Sequence, residues 1–269
     1  MKQLFTVLVV LNIVACNGDT DPDTDPDIIP PATGIPTPQH ISYTIIGQIP
    51  HDTSAYTQGL EFYNGKLLES TGDYENSSIR ITDPRTGAVE KKHIMGSRDI
   101  FGEGITVLNG KIYQLTWESN LAYVYDANDI TKPVRTFKWP YQGWGITNNG
   151  SDLIISDGSS NLYFVDPANF NVRNTLAVRS NRGSVNQLNE LEFIEGYVYA
   201  NVYTTNDIVK IDPESGFVVG RMSFDNLLQR NEYVPGHTDY FNGIAWDSTS
   251  RTMVVTGKRW PKMFQVKFN

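Results

Sequence analysis

The chain has 269 residues, 12% aromatic side chains and 22 glycines, with 22 Lys+Arg against 30 Asp+Glu for a net charge of −8. This acidic balance argues against nucleic acid and anionic membrane surfaces as partners, since both need a basic face. With one cysteine, Cys16, no internal disulfide is available.

The chain begins with Lys2 and an apolar run over residues 4–14 that is too short to span a bilayer comfortably. Ile13-Val14-Ala15-Cys16 follows, with small residues ahead of the cysteine. This resembles a bacterial lipobox. It implies a lipoprotein signal peptide over residues 1–15, lipidation of Cys16, and a membrane-anchored protein of the cell envelope, periplasmic or surface-exposed. Residues 16–39 form an acidic Pro/Thr/Asp tether, with Asp19, Asp21, Asp23, Asp25 and Asp27 alternating with Thr and Pro. Nothing in it can bury a core, so a disordered, extended linker is expected. The alternating Asp lacks the central Gly and closing Glu of an EF-hand.

The remaining domain, residues 40–269, opens on HISYTIIGQI, a strand rich in β-branched residues. A pattern then recurs: TQGLEF, GEGITV, GWGITN, LNELEF and FNGIAW. Their third residues are Gly59, Gly104, Gly145, Glu190 and Gly243, at intervals of 45, 41, 45 and 53. Such a period is the signature of propeller blades. Within the first repeat, four strands are predicted over residues 60–62, 66–71, 78–83 and 89–93. They are joined by Asn64-Gly65 and by Asp83-Pro84-Arg85-Thr86-Gly87. Asn109-Gly110 and Asp212-Pro213-Glu214-Ser215-Gly216 repeat these links.

The last repeat has room for three strands, at 244–247, 253–257 and 263–268. The orphan strand at residues 41–49 supplies the fourth and removes two sheet edges. The predicted fold is therefore all-β: a five-bladed β-propeller, its last blade closed by the N-terminal strand. A large β-sandwich would not explain the period.

In a propeller the starts of the innermost strands converge on one face. The residues before each third anchor position are Gln58, Glu103, Trp144, Asn189 and Asn242. One acid, three amides and an indole at one level suit recognition and proton transfer. Taken singly, the amides can just bind neighbouring backbone, Trp144 can fill core volume and Glu103 can pair with a cation. Only the repeat around Glu103, DIFGEGITVLNGKIYQLTW, carries a carboxylate between its glycines. His40, His51, His93 and His237 are scattered and the chain has no Gly-x-Ser-x-Gly elbow. A catalytic zinc site and a Ser-His-Asp hydrolase are thus disfavoured. Glu190 and Glu192 face the same side of one strand. They can pair, bind an ion or sit beside Asn189, which leaves a structural calcium open.

YTQGLEF, FGEGIT, YQLTW, GWG, NELE and the stretch from FNGIAW to TGKRWPKMFQV resemble the plant- and bacterial-type glutaminyl-peptide cyclotransferases. The likeness runs over residues 45–268 in the family's order. It implies a transferase that converts the N-terminal glutamine of peptides or proteins to pyroglutamate with release of ammonia. It also implies a five-bladed propeller with no required cofactor and no metal at the site. Carried over by position, Glu103 matches the catalytic acid/base, with Tyr56, Gln58 and Phe101 around it. Trp117 and Trp144 match aromatic walls, Asn189 a polar contact and Lys258 a cation of the last blade. Tyr56 stands where the family often has Phe, and Tyr203 where a third Trp is common. A non-catalytic propeller that binds peptide N-termini or protein partners is the alternative, and a sugar or lactone hydrolase a third reading. The latter would want a second carboxylate at the ring level. A monomer is expected.

Overall fold

The computed structural model describes residues 34–95 and 97–268. The expectations for the signal peptide, for lipidation of Cys16 and for most of the tether lie outside them. Among the described residues there are strands and no helix. Four antiparallel strands make each of five blades. Blade 1 comprises Thr57–Tyr63, Lys66–Thr71, Ser78–Thr82 and Val89–Ile94. Blade 2 comprises Gly102–Leu108, Lys111–Thr116, Leu121–Asp126 and Arg135–Lys138. Blade 3 has Ile146–Asn148, Leu153–Ser156, Asn161–Val165 and Val172–Ala177. Blade 4 has Leu188–Ile194, Tyr197–Val202, Asp207–Ile211 and Val218–Ser223.

Blade 5 takes Phe241–Asp247, Thr252–Gly257 and Lys262–Phe268 from the end of the chain. Its fourth strand is Tyr43–Pro50, paired antiparallel with Lys262–Phe268. The fold and its closure are those expected. The tether predicted to run to Gln39 meets the propeller sooner. Ile35 is buried, and Gln39–His40 add a parallel fifth strand to blade 4.

The turns follow the local chemistry. Asn64 and Gly65 both have positive φ, as do Asn109 and Gly110. That is the two-residue type I′ hairpin whose twist matches the flanking strands. At Asp83 and Asp212 the carboxylate accepts the N–H two residues on, and a positive-φ glycine closes each loop.

The apolar core is divided among the seams. Five buried clusters lie one between each pair of neighbouring blades. The cluster between blades 5 and 1 joins Ile49, Ala245, Val254 and Met263 to Leu60 and Leu67. Along the axis the innermost strands approach too closely for side chains. A Cβ on Gly104 would lie 2.7 Å from the Ile146 nitrogen, and one on Gly59 2.5 Å from the Ile105 nitrogen. This contact explains the glycines at 59, 104 and 145, whereas Gly243 sits at a φ of 120° that a side chain would strain.

Blade 4 replaces that glycine with Glu190. Its carboxylate accepts the N–H of Leu60 in blade 1 at 3.0 Å and of Ile244 in blade 5 at 2.9 Å. Glu192 accepts the N–H of Trp246 at 2.8 Å, and Glu61 that of Val107. Burial pushes the Glu190 and Glu192 carboxyls well above their usual range and raises Glu61 to about 7. These acids are cross-blade acceptors. Among the described residues no cluster of three or more His, Cys, Asp or Glu could hold a metal ion.

Candidate active site

Four innermost strands carry a bulge at their first residues. The register slips between Thr57 and Gly59, Gly102 and Ile105, Leu188 and Leu191, and Phe241 and Ile244. A bulge re-aims the extra residue, and the residues freed this way include Gln58, Glu103 and Asn189. In blade 3 the strand starts later, at Ile146, and Trp144 arrives on the lead-in, its N–H donating to Ser156 O at 3.0 Å.

These residues converge on a pocket of about 400 Å³. Tyr56, Gln58, Phe101, Glu103, Trp117, Trp144, Asn189, Tyr203 and Lys258 all line it, together with Gly72, Asp73, Tyr74 and Arg259. Asn242 does not. Its amide nitrogen donates to Thr57 O at 3.0 Å within the seam between blades 5 and 1. Its place at the ring level is thus corrected: the side chain is turned into the seam, where the Thr57 carbonyl takes its amide. A larger cavity of about 730 Å³ lies between blades 4 and 5; of its two acids, Glu195 is paired with Arg251 and Asp212 accepts the Glu214 N–H and the Ser215 hydroxyl.

Glu103 is 5% exposed. Gln58 Nε2 donates to Glu103 Oε1 at 3.0 Å, and Lys258 Nζ donates to Gln58 Oε1. Lysine is a donor only, so it fixes which end of the amide faces the acid. Burial drives the Glu103 carboxyl well above its usual range, with Lys258 pulling it partly back. Burial also pushes Lys258 down to about 8, opposed by the charges of Glu103 and Asp239. The ammonium sits 4.7 Å from the Tyr56 ring centre and 5.3 Å from that of Tyr203. The faces of both rings favour a cation.

The walls are interlocked. Phe101 meets Trp117 edge-on at 5.8 Å and Tyr74 at 5.3 Å. Gly72 makes room for it, since a Cβ there would lie 2.1 Å from the Phe101 ring. Trp117 and Trp144 donate their indole N–H groups to the same atom, Gln142 Oε1, at 3.0 Å each. Tyr56 donates its hydroxyl to Asp239 Oδ2 at 2.8 Å. Burial and that carboxylate raise the phenol further above its usual value.

Asn189 is 3% exposed, and its Oδ1 is a buried acceptor with no partner. Such an atom carries a desolvation penalty until a donor arrives. The site thus combines one protonatable carboxyl, one fixed amide, one caged cation, one open acceptor and aromatic walls. That set can hold a small polar group and move protons at it. Sequence reasoning missed Gln142, Asp239, Asp73, Tyr74 and Arg259. Gln142 stands one residue before Gly143-Trp144-Gly145, and this adjacency was its only signal.

The sequence model of the glutamine cyclotransferase family matches residues 13–268. A curated glutaminyl-peptide cyclotransferase of Arabidopsis thaliana is 41% identical over 227 residues, spanning 83% of this chain and 70% of that protein. The crystal structure of Myxococcus xanthus glutaminyl cyclase is similar with a TM-score of 0.79 at 32% identity, over 86% of this chain and 98% of that one.

Proposed function

The chain belongs to the glutamine cyclotransferase family and is a glutaminyl-peptide cyclotransferase, and from that premise we propose that Glu103 is the acid/base at an aromatic-walled channel mouth. The substrate is a peptide or protein whose N-terminal residue is glutamine. Ionised Glu103 takes a proton from the α-ammonium. The freed amine attacks its own side-chain carbonyl carbon, and the new C–N bond closes a five-membered ring.

Glu103 then hands its proton to the side-chain nitrogen and takes one from the ring nitrogen. The bond to the side-chain nitrogen breaks, ammonia leaves, and the last proton departs with it as ammonium. Cyclisation is intramolecular, so the aromatic walls contribute by holding the compact near-attack shape. The second N–H of Gln58, its amide fixed by Lys258, donates to the developing oxyanion. Asn189 Oδ1 accepts from the amine or from the substrate amide.

The observation that supports this reading most is the buried Glu103 carboxyl, hydrogen-bonded to an amide that a caged lysine fixes. The test follows ammonia release from a short N-terminal-Gln peptide, with and without a chelator. Glu103→Gln should lower kcat at least about 10²-fold, the usual scale of a lost acid/base, with an unchanged melting curve. A near-normal rate would remove Glu103 from the mechanism. Undiminished turnover in the chelator is expected, since no step uses a metal.

For the N-terminus we propose, from its sequence alone, cleavage before Cys16 and acylation there. That would anchor a monomeric enzyme at the cell envelope. Cys16→Ser should release it from the membrane fraction, and unchanged membrane association would refute the anchor.

A further inference from the structure

Beside the catalytic pocket lies a second cleft of about 330 Å³ that the proposed chemistry does not use. Its floor is Phe224, Leu227, Phe241 and Trp260, all buried in the seam between blades 4 and 5. The rings meet in sequence at tilted angles, Phe224 to Phe241 at 5.0 Å and Phe241 to Trp260 at 5.7 Å. Leu228 and the half-exposed Tyr233 and Tyr240 line it as well.

The wall between the two cavities is the Asp239-Tyr240 segment. Its backbone exchanges two hydrogen bonds with Lys258, Asp239 N to Lys258 O at 3.0 Å and Lys258 N to Tyr240 O at 2.9 Å. Tyr56 and Trp260 brace the same wall, on the Asp239 carboxylate and carbonyl. A track of rings crosses it. Trp144 and Tyr203 meet at 5.5 Å, Tyr203 and Tyr240 at 5.1 Å, and Tyr240 lines the cleft.

An N-terminal glutamine must enter amine-first, so the rest of its chain leaves by the mouth. Resting on the cyclisation reading, we infer that the cleft is a subsite for an apolar or aromatic side chain at the third or fourth residue of the substrate. The two ring-to-ring steps amount to about three residues of extended peptide. The aromatic floor suits a Phe- or Leu-like side chain, while Asn206, Asn226 and Asp239 at the sides leave the cleft polar at its edge. The cleft lies across the Asp239-Tyr240 wall from the catalytic pocket, at the end of the ring track, so the chain already held in the pocket is the occupant in reach.

The experiment compares kcat/KM for Gln-Gly-Gly-Gly, Gln-Gly-Phe-Gly and Gln-Gly-Gly-Phe, using the native enzyme, Tyr240→Ala and Leu228→Asp. The native enzyme should favour one Phe peptide about tenfold, mainly through KM, the scale of a modest apolar pocket. Both variants should lose that preference, keep their rate on Gln-Gly-Gly-Gly and melt as the native enzyme does. Equal rates on the three peptides, or a preference that survives both variants, would overturn the subsite. Absence of turnover on every peptide would instead overturn the cyclisation reading, and the subsite with it.

Discussion

Gln58 holds the Glu103 carboxylate at 3.0 Å with an amide whose orientation is set by Lys258, two hundred residues along the chain. The lysine therefore acts on the acid twice, through this amide and through its charge. Lys258→Met should lower kcat by tenfold or more. It should also move the acid limb of the pH–rate profile upward, because the Lys258 charge lowers the Glu103 pKa. The native profile should fall again above about 8, where Lys258 loses its proton, and the variant should lack that limb. Rate measurements across pH check all three. Stability has its own sign. Folding lowers the Lys258 pKa, so the unfolded chain binds more protons between about 8 and its ordinary 10.5. Native stability should gain from this group as pH rises through that window, and the variant should lose this gain.

Gln142 carries no chemistry, yet it is the shared acceptor of both pocket tryptophans. Gln142→Ala frees two indoles from one point. We expect KM to rise about fivefold, the equivalent of one ordinary hydrogen bond of ~1 kcal/mol, with kcat nearly unchanged. Steady-state kinetics on a Gln-dipeptide amide decide it, and an equal fall in kcat would assign Gln142 to the reaction itself.

Glu190 tests the axis. Its two oxygens receive backbone N–H groups from blades 1 and 5, and glutamine can offer only one acceptor oxygen. Glu190→Gln should destabilise the fold by about 1–3 kcal/mol, the cost of an unsatisfied buried group. Folded variant should keep its kcat. Urea unfolding followed beside activity separates the two effects.

The Tyr56 ring faces Lys258 while its hydroxyl bonds to Asp239. Tyr56→Phe keeps the ring and removes the tie, leaving a part-buried carboxylate oxygen unpaired. A loss of about 1–2 kcal/mol is expected, roughly 2–8 °C in Tm for a chain of this size, with kcat within about twofold. A kcat loss beyond tenfold would give the hydroxyl a role in catalysis.

The blades were legible because one steric demand repeats. Innermost strands touch, so Gly59, Gly104 and Gly145 recur at a fixed place in each repeat. Asn-Gly marks the hairpins where both residues need positive φ. Glu195-Gly196 makes the equivalent turn in blade 4, also at positive φ, without an asparagine to announce it. The candidate site was legible mainly through motif resemblance, whose aromatic residues and Lys258 all line one pocket. Asn242 was misread because it occupies the same bulge position as Gln58, Glu103 and Asn189, and only its bond to the Thr57 carbonyl, 185 residues away, tells it apart. Asp239 was invisible because Tyr56, the partner of its carboxylate, is 183 residues away and meets it only when blades 1 and 5 close. His51 looked incidental, yet it is buried between Glu69 Oε1 and the Trp260 carbonyl, both at 2.9 Å. Those contacts are again set by ring closure.

The strand Tyr43–Pro50 pairs with Lys262–Phe268, so the first blade edge made on the ribosome waits for the last. The hydrogen bond between Gln58 and Lys258 spans the same joint, Gln58 on one side and Lys258 on the other. A nascent chain can form blades 1 to 4 by local pairing, which is fast, but the joint is a contact of the longest sequence separation and forms last. An unfinished polypeptide therefore has its acid without the lysine that orients it. Competence to cyclise substrate arrives in the same step as the completed ring.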